Sequence, residues 1–291
     1  MLSQQIVNGV MLGSVYALIG VGYTLVFGVL RMLNLAHAYI FMAAPFAAYF
    51  AVTSGLLPPA LGFPVGIVVA AALGALLYFV SFRPIPQSHA LGGFVTSLSF
   101  GVIIQVILVN HFGSLKLPFD AGLSLPDVRI GEVILSGAQA ASLAVSVVLM
   151  AALFGLIRKS RFGRNVRAIA ENENAAQLLG VSVQRAVVEV FLISSALAGL
   201  AGLMVATRFE VISAYMSDAY ALKALAVIVI GGLGDLRGAL IAGLLLGVCE
   251  VLFQAYAPSG WSEAFVWILL ILVFLVRPDG LFGVSVKRRE V

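Results

Sequence analysis

Apolar runs of about 20 residues recur along this whole 291-residue chain, and they leave few possible folds. A helix needs about that length to cross a bilayer, and in lipid each backbone polar group must be satisfied within its own segment. Hydrophobic residues make up 62% of the chain and charged residues 10%, whereas soluble domains are about half apolar and a quarter charged. The sequence therefore predicts an all-α integral membrane protein, a polytopic helical bundle of about eight or nine segments.

The predicted bundle is a single transmembrane domain over residues 1–291. Its first apolar run is expected to be a retained helix, because no basic region or cleavage pattern accompanies it. Residues 219–233 are short and end in GGLGD, and residues 6–30 are glycine-rich and run into RMLNLAHA, so one or two broken or re-entrant helices are expected there. The other predicted segments are residues 38–57, 60–82, 90–112, 132–157, 186–206, 238–256 and 264–276.

The basic residues predict the orientation of the bundle. They lie in short gaps between apolar runs, which indicates topology signals rather than a nucleic-acid surface, although the net charge is +4. The run RKSRFGRNVR, from Arg158, and the tail residues Lys287, Arg288 and Arg289 are expected to face the cytoplasm. Counting helices outward from there predicts a periplasmic N-terminus and a cytoplasmic C-terminus.

Glycines at small-xxx-small spacing predict close helix contacts. Gly9 with Gly13, and Gly243 with Gly247, have the spacing that lets two helix backbones approach closely. Two interpretations stay open, tight packing inside one bundle or an interface between subunits.

The largest polar insertion, residues 158–185, predicts two short helices in a cytoplasmic loop. The first is expected over residues 164–171, and Asn172 is expected to cap a second that ends at Gly180. The second helix has an apolar patch that a solvated loop does not need, which favours docking to another protein. The patch consists of Ala175, Ala176, Leu178 and Leu179.

This loop resembles the EAA loop of ABC importer permeases, the segment that couples the permease to its ATPase. The surrounding RAIAENENAAQLLGVSVQRA is similar to the version in branched-chain amino acid permeases of the LivH type, usually close to NPEAARLLGI. Glu173 stands where that version has Pro, and Asn174 where it has Glu. The resemblance assigns ATPase coupling to Asn172, Glu173, Asn174, Ala175, Ala176, Leu178, Leu179 and Gly180.

Two further stretches resemble the same family, GVGYTLVFGVLRMLNLAHAYIFMAA from Gly20 and LKALAVIVIGGLGDLRGALIAGLLLGVCEVL from Leu222. The resemblance implies an inner-membrane permease for branched-chain or other hydrophobic amino acids, or for small amides. It also implies a second related permease in a heterodimer, two ATPase subunits that bind ATP and Mg, and a periplasmic binding protein. The chain has no GxxxxGK[ST] phosphate loop, so ATP chemistry has to come from partners, and no cofactor of its own is expected.

Two other classes of protein remain as alternatives. The GxGD pattern of intramembrane aspartyl proteases is present as Gly232, Leu233, Gly234 and Asp235. Catalysis in those proteases needs a second carboxylate, however, and no other aspartate lies deep in an apolar run. The stronger alternative is a stand-alone secondary transporter or channel, since these also use broken helices and buried polar groups.

Few polar residues interrupt the apolar segments, and such residues are functional candidates by default. Asn34, His37 and Gln105 are candidates for the translocation path, although Asn34 and His37 equally fit a frayed helix boundary. Lys223 and Glu250 lie at similar distances from the turn around Gly234 and are expected to form a buried ion pair. The spacing of His89 and His111 does not predict a metal site.

Overall fold

The structure is a computed structural model that describes residues 2–55, 57–85, 90–120, 122, 126–131, 133–256, 261–277 and 280–282. Helices dominate these residues, and the strands are short and lie in connections between helices. The helices are α1 (Leu2–Leu30), α2 (Ala36–Thr53), α3 (Gly62–Leu77), α4 (Ala90–Phe112), α5 (Gly137–Lys159), α6 (Arg161–Glu171), α7 (Glu173–Leu178), α8 (Val183–Phe209), α9 (Met216–Gly231), α10 (Leu236–Tyr256) and α11 (Ser262–Val276). The strands are β1 (Leu117–Pro118), β2 (Val128–Ile130), β3 (Val133–Leu135) and β4 (Val211–Ile212).

The predicted polytopic helical bundle is confirmed. Among the described residues, seven helices are long and apolar enough to span a membrane, namely α1, α2, α3 with the π-helical turn Tyr78–Phe82 that follows it, α4, α5, α8 and α10. The shorter apolar helices α9 and α11 have 16 and 15 residues.

Two expectations about segment boundaries are corrected. The glycine-rich first segment is one continuous helix, and the break follows it, where Arg31 adopts a left-handed backbone with φ 52°. The segment expected over residues 132–157 begins as a β2–β3 hairpin, and α5 starts only at Gly137, where Ser136 and Gln139 form a capping box. Glu132 lies outside the described residues.

α1 and α10 pack closely along each other, and their small residues explain it. A Cβ atom added to Gly13 would lie 2.7 Å from Leu244 Cα, and one added to Gly243 would lie 2.5 Å from Ala17 N. A Cβ on Gly247 would overlap the backbone of Gly13. The small-xxx-small pairs therefore pack within one bundle, which is the first of the two interpretations that the sequence left open.

The bundle has a buried centre and an apolar perimeter. α8 lies against α2 and α3, and nearly all of α1 is buried as well. By contrast, α4, α5 and α11 expose many large aliphatic side chains, such as Ile107, Val148 and Leu275. An apolar perimeter around a buried centre is the arrangement that hydrocarbon requires.

Contacts at the helix ends establish which segments share an end of the bundle. At one end, Arg31 after α1 bonds to α6, and Leu281 bonds to Ile230 at the end of α9. At the other end, Gln4 near the start of α1 bonds to Ile134 of β3. The start of α1 and the loop that contains α6 and α7 therefore lie at opposite ends.

Candidate functional site

The coupling segment, defined as residues 172–180, is a six-residue helix with a defined start and end. Asn172 adopts an extended backbone, and its side-chain oxygen accepts a hydrogen bond of 3.0 Å from the Ala175 amide, as an N-cap does. Gly180 ends the segment with φ 84°, the left-handed conformation that glycine adopts without steric cost. The sequence therefore gives α7 its own start and stop signals.

The exposed face of α7 is narrower than the predicted patch. Leu178 and Leu179 are 89% and 83% exposed, and Ala175 is also exposed. Ala176 is only 2% exposed, so its side chain is buried, and its carbonyl accepts a hydrogen bond from the Val181 amide. The placement of Ala176 on the apolar surface is corrected, because at about 100° per residue Ala176 and Leu178 point in nearly opposite directions.

The helix before the coupling segment connects it to the bundle. Ser160 caps α6 by accepting a hydrogen bond of 3.1 Å from the Gly163 amide, so α6 starts at Arg161 rather than at the predicted residue 164. The Arg31 guanidinium donates to the Ala170 carbonyl at 3.2 Å, and Arg167 donates to the Ile157 carbonyl. α6, which directly precedes α7, is therefore bonded to α5 and to the residue that follows α1.

A charged network lies in the middle of the bundle. Lys223 Nζ lies 2.6 Å from Glu250 Oε1, and their side chains are 19% and 3% exposed. Tyr16, the midpoint of α1, donates a hydrogen bond of 2.9 Å to Glu250 Oε2 and accepts one of 3.1 Å from Lys223. Gln254 donates to Glu250 Oε1 at 3.1 Å. The structure thus brings together the two charges that the sequence placed at similar depth, and the network joins α1, α9 and α10.

Sequence reasoning missed two members of this network. Gln254 follows Glu250 by four residues on α10, a spacing at which helical side chains meet, so the pattern contained a signal for it. Tyr16 lies in a different apolar run from Lys223 and Glu250, and no local pattern relates it to either. Its role depends on the packing of α1 against α10.

Asn34 and His37 are buried where α1, α2 and α8 meet. They are 1% and 0% exposed, and the His37 ring centroid lies 4.5 Å from that of Tyr23. A Cβ on Gly22 would lie 2.6 Å from His37 Nε2, so this glycine makes room for the imidazole. The Asn34 amide has no hydrogen-bond partner in the described part of the chain. Both residues therefore lie inside the bundle.

Gln105 binds a non-helical stretch of backbone inside the bundle. Its amide nitrogen donates a hydrogen bond of 2.9 Å to the Ala214 carbonyl, in the non-helical stretch between α8 and α9. Ala214 is fully buried, and Gln105 lies in the interior of α4 rather than at its end. α9 therefore begins within the bundle, and the segment over residues 219–233, where a broken or re-entrant helix was expected, lies in one short unbroken helix that ends at Gly231.

The remaining candidates have ordinary structural roles or lie outside the described residues. The Asp235 carboxylate accepts hydrogen bonds from the Arg237 and Gly238 amides at 2.7 and 2.8 Å, so the aspartate of the GxGD pattern caps α10. The His111 ring packs on Phe50 and Phe112. The residues His89, Lys287, Arg288 and Arg289, discussed from the sequence above, lie outside the described residues.

A many-helix bundle with polar groups at its centre, a short helix that begins within it and an exposed capped helix at one end is typical of a membrane-embedded transport subunit. The chain belongs to the family described as the permease component of the branched-chain amino acid transport system, whose family profile matches residues 5–274. As a permease component, it is not itself catalytic, and the protease alternative is dismissed.

Curated relatives match nearly the full chain. It is 34% identical to the high-affinity branched-chain amino acid transport system permease protein LivH of Escherichia coli strain K12, with 96% of this chain and 95% of the relative covered. It is 31% identical to the corresponding permease BraD of Pseudomonas aeruginosa, over 96% and 95% of the two chains. A stand-alone transporter or channel is not favoured.

A solved structure supports the fold. The chain is similar to a chain of PsaBC from Streptococcus pneumoniae in complex with Fab, with a TM-score of 0.50 and 12% sequence identity over 96% of this chain and 93% of that one. This likeness concerns the fold alone.

Proposed function

We propose that this chain conducts branched-chain or other hydrophobic amino acids across the bacterial inner membrane, driven by ATP hydrolysis in partner subunits. The observation that carries the proposal is the pair of leucines at the end of α7, which are 89% and 83% exposed on a capped helix that directly follows α6, and α6 is itself bonded to Arg31. Two large exposed apolar side chains on a short helix favour a protein partner. The family resemblance implies that this partner is an ATPase subunit, which binds the ATP and Mg.

The proposed assembly contains this chain, a second related permease, two ATPase subunits and a periplasmic binding protein. The coupling segment would face the cytoplasm and the start of α1 the periplasm, because the arginine-rich stretch from Arg158 to Arg167 lies at the coupling end. Asn34, His37 and Gln105 are proposed to line or border the translocation path, since polar groups inside a membrane bundle are costly unless they serve such a path.

Reconstitution tests the function. The purified assembly in proteoliposomes is expected to accumulate radiolabelled leucine, isoleucine or valine only with ATP inside the same compartment as the ATPase and with binding protein on the opposite side. Uptake that persists after removal of the ATPase subunits would overturn the proposal, and so would the absence of uptake for all three amino acids in the complete assembly.

Cysteine labelling tests the orientation. In a variant with Cys249 replaced by serine, we expect Arg161→Cys to react with a membrane-impermeant maleimide only after the cells are opened, and Leu115→Cys to react in intact spheroplasts. Both positions are exposed and lie at opposite ends of the bundle. The reverse pattern would contradict the proposed orientation.

A further inference from the structure

A cleft of about 330 Å³ opens between α9 and α11, beside the charged network. Because the Lys223 ammonium bonds to Tyr16 at the midpoint of α1, the cleft reaches the middle of the bundle. Its volume lies at the lower end of the range of ligand pockets, which suits a small ligand. The lining residues are Tyr215, Asp218, Ala219, Leu222, Lys223, Val266 and Trp267.

The opening of this cleft is unsuited to acyl chains. Asp218 is exposed in the first turn of α9, a helix that begins inside the bundle at the level of Gln105 in α4. A charged side chain exposed at that depth is costly in hydrocarbon and is normally found facing a water-filled cavity or a polar partner. We therefore expect this side of α9 to face the aqueous path rather than lipid.

The cleft has two opposite charges and an apolar wall. Asp218 supplies a carboxylate, and the partly exposed Lys223 supplies an ammonium group with three donors. Two of those donors go to Glu250 and Tyr16, and the third has no partner among the described residues, so it can serve a ligand. Leu222, Val266 and Trp267 provide the apolar surface. The arrangement complements a zwitterion with an apolar side chain.

We infer that the α9–α11 cleft holds the amino acid in transit, with Asp218 facing its ammonium group and Lys223 facing its carboxylate. Leu222, Val266 and Trp267 would contact the side chain of the amino acid. This inference rests on the proposed function, because it takes the cargo to be an α-amino acid. Glu250 and Tyr16 would act as positioning residues that hold the Lys223 ammonium group at the cleft.

Photolabelling of the complete assembly tests the cleft directly. A leucine analogue with a diazirine in its side chain would be delivered by the binding protein, irradiated during turnover, and mapped by mass spectrometry. We expect the label on Leu222, Val266 or Trp267. Asp218→Asn is expected to lower this labelling and to raise the KM for leucine uptake about tenfold each, because a hydrogen bond between charged groups is lost.

The matched control is Asp127→Asn, another exposed aspartate, which lies outside the cleft-lining residues. It is expected to leave both the labelling and the KM unchanged. A second variant, Leu222→Trp, fills the cleft without removing a charge and is expected to abolish labelling there while the ATPase subunits still co-purify.

The outcomes separate this inference from the proposed function. The unaltered assembly could transport leucine while the Asp218→Asn variant shows the same cleft labelling and the same KM for uptake. In that case the cleft assignment is wrong and the proposed function stands. Labels that fall only at residues near Asn34 and His37 would also overturn the assignment. If the unaltered assembly transports none of the branched-chain amino acids, the proposed function itself fails.

Discussion

The charged network in the middle of the bundle and the coupling segment at its end differ in where their partners lie. Lys223, Glu250, Tyr16 and Gln254 are bonded to one another within this chain. The coupling segment caps its own helix, but Leu178 and Leu179 stay exposed in the described part of the chain. The bundle centre finds these partners within one subunit, whereas we propose that the coupling segment docks on a surface of another.

Substitutions in the bundle centre are therefore expected to lower the folded fraction of this chain. Substitutions in the coupling segment are expected to weaken its association with the ATPase subunits and to leave the fold unaltered. The largest effect is expected at the contact between α1 and α10. Gly247→Leu places a side chain where the backbone of Gly13 lies, and the clash can be relieved only if α1 and α10 separate. We therefore expect nearly all folded protein to be lost. The measurement is the monodisperse fraction in size-exclusion chromatography of detergent extracts.

The control for this change is Gly155→Leu on α5, where no atom lies within 4 Å of an added Cβ. It is expected to give the normal monodisperse fraction. Equal losses in both variants would mean that the close packing of α1 and α10 is not what distinguishes the two glycines.

A smaller loss is expected when one member of the charged network is removed. Glu250→Leu leaves the Lys223 ammonium group unpaired inside the bundle, which costs about 3 to 5 kcal/mol of the free energy of unfolding. Gln254→Met removes one hydrogen bond and is expected to cost only about 1 kcal/mol. Thermal unfolding in detergent, followed by tryptophan fluorescence, compares the variants.

The double variant Lys223→Leu with Glu250→Leu sharpens this prediction. It is expected to recover part of the loss, because neither charge is then left alone. Losses that simply add would contradict a direct pair, since groups in contact should couple.

The smallest effect is expected at the cap of α7. Asn172→Ala removes the hydrogen bond to the Ala175 amide and destabilises the short helix by about 1 kcal/mol, so ATPase affinity should fall about fivefold. Thermal unfolding of the bundle should not change. Asn172→Asp keeps an N-cap acceptor and should bind the ATPase nearly as well as the unaltered chain. Equal affinity for Ala and Asp at this position would show that the cap does not contribute.

Much of the fold could be predicted because the bilayer imposes one length scale and one hydrogen-bonding rule on every segment. The position of Lys223 and Glu250 on either side of one turn was also sufficient to place them at similar depth. Residues 133–135 were misassigned because three apolar residues beside an apolar helix do not separate strand from helix by periodicity.

Parts of the site could not be predicted, for physical reasons that differ between residues. Tyr16 belongs to the charged network only because glycines let α1 approach α10. The sequence of one helix alone does not predict which distant helix it packs against. The burial of Ala176 depends on how α7 is rotated against its own loop. A helix of six residues is too short for its pattern to fix that rotation.

The most direct test of the central claim is the stoichiometry of ATPase subunits that co-purify with a Leu178→Asp, Leu179→Asp variant in mild detergent. The matched control is Leu115→Asp, an exposed leucine at the opposite end of the bundle. We expect normal folded yield for both variants, full ATPase content for the control, and loss of ATPase and of leucine uptake for the α7 variant. A full complement of ATPase and a normal uptake rate in the α7 variant would show that these leucines do not dock the ATPase.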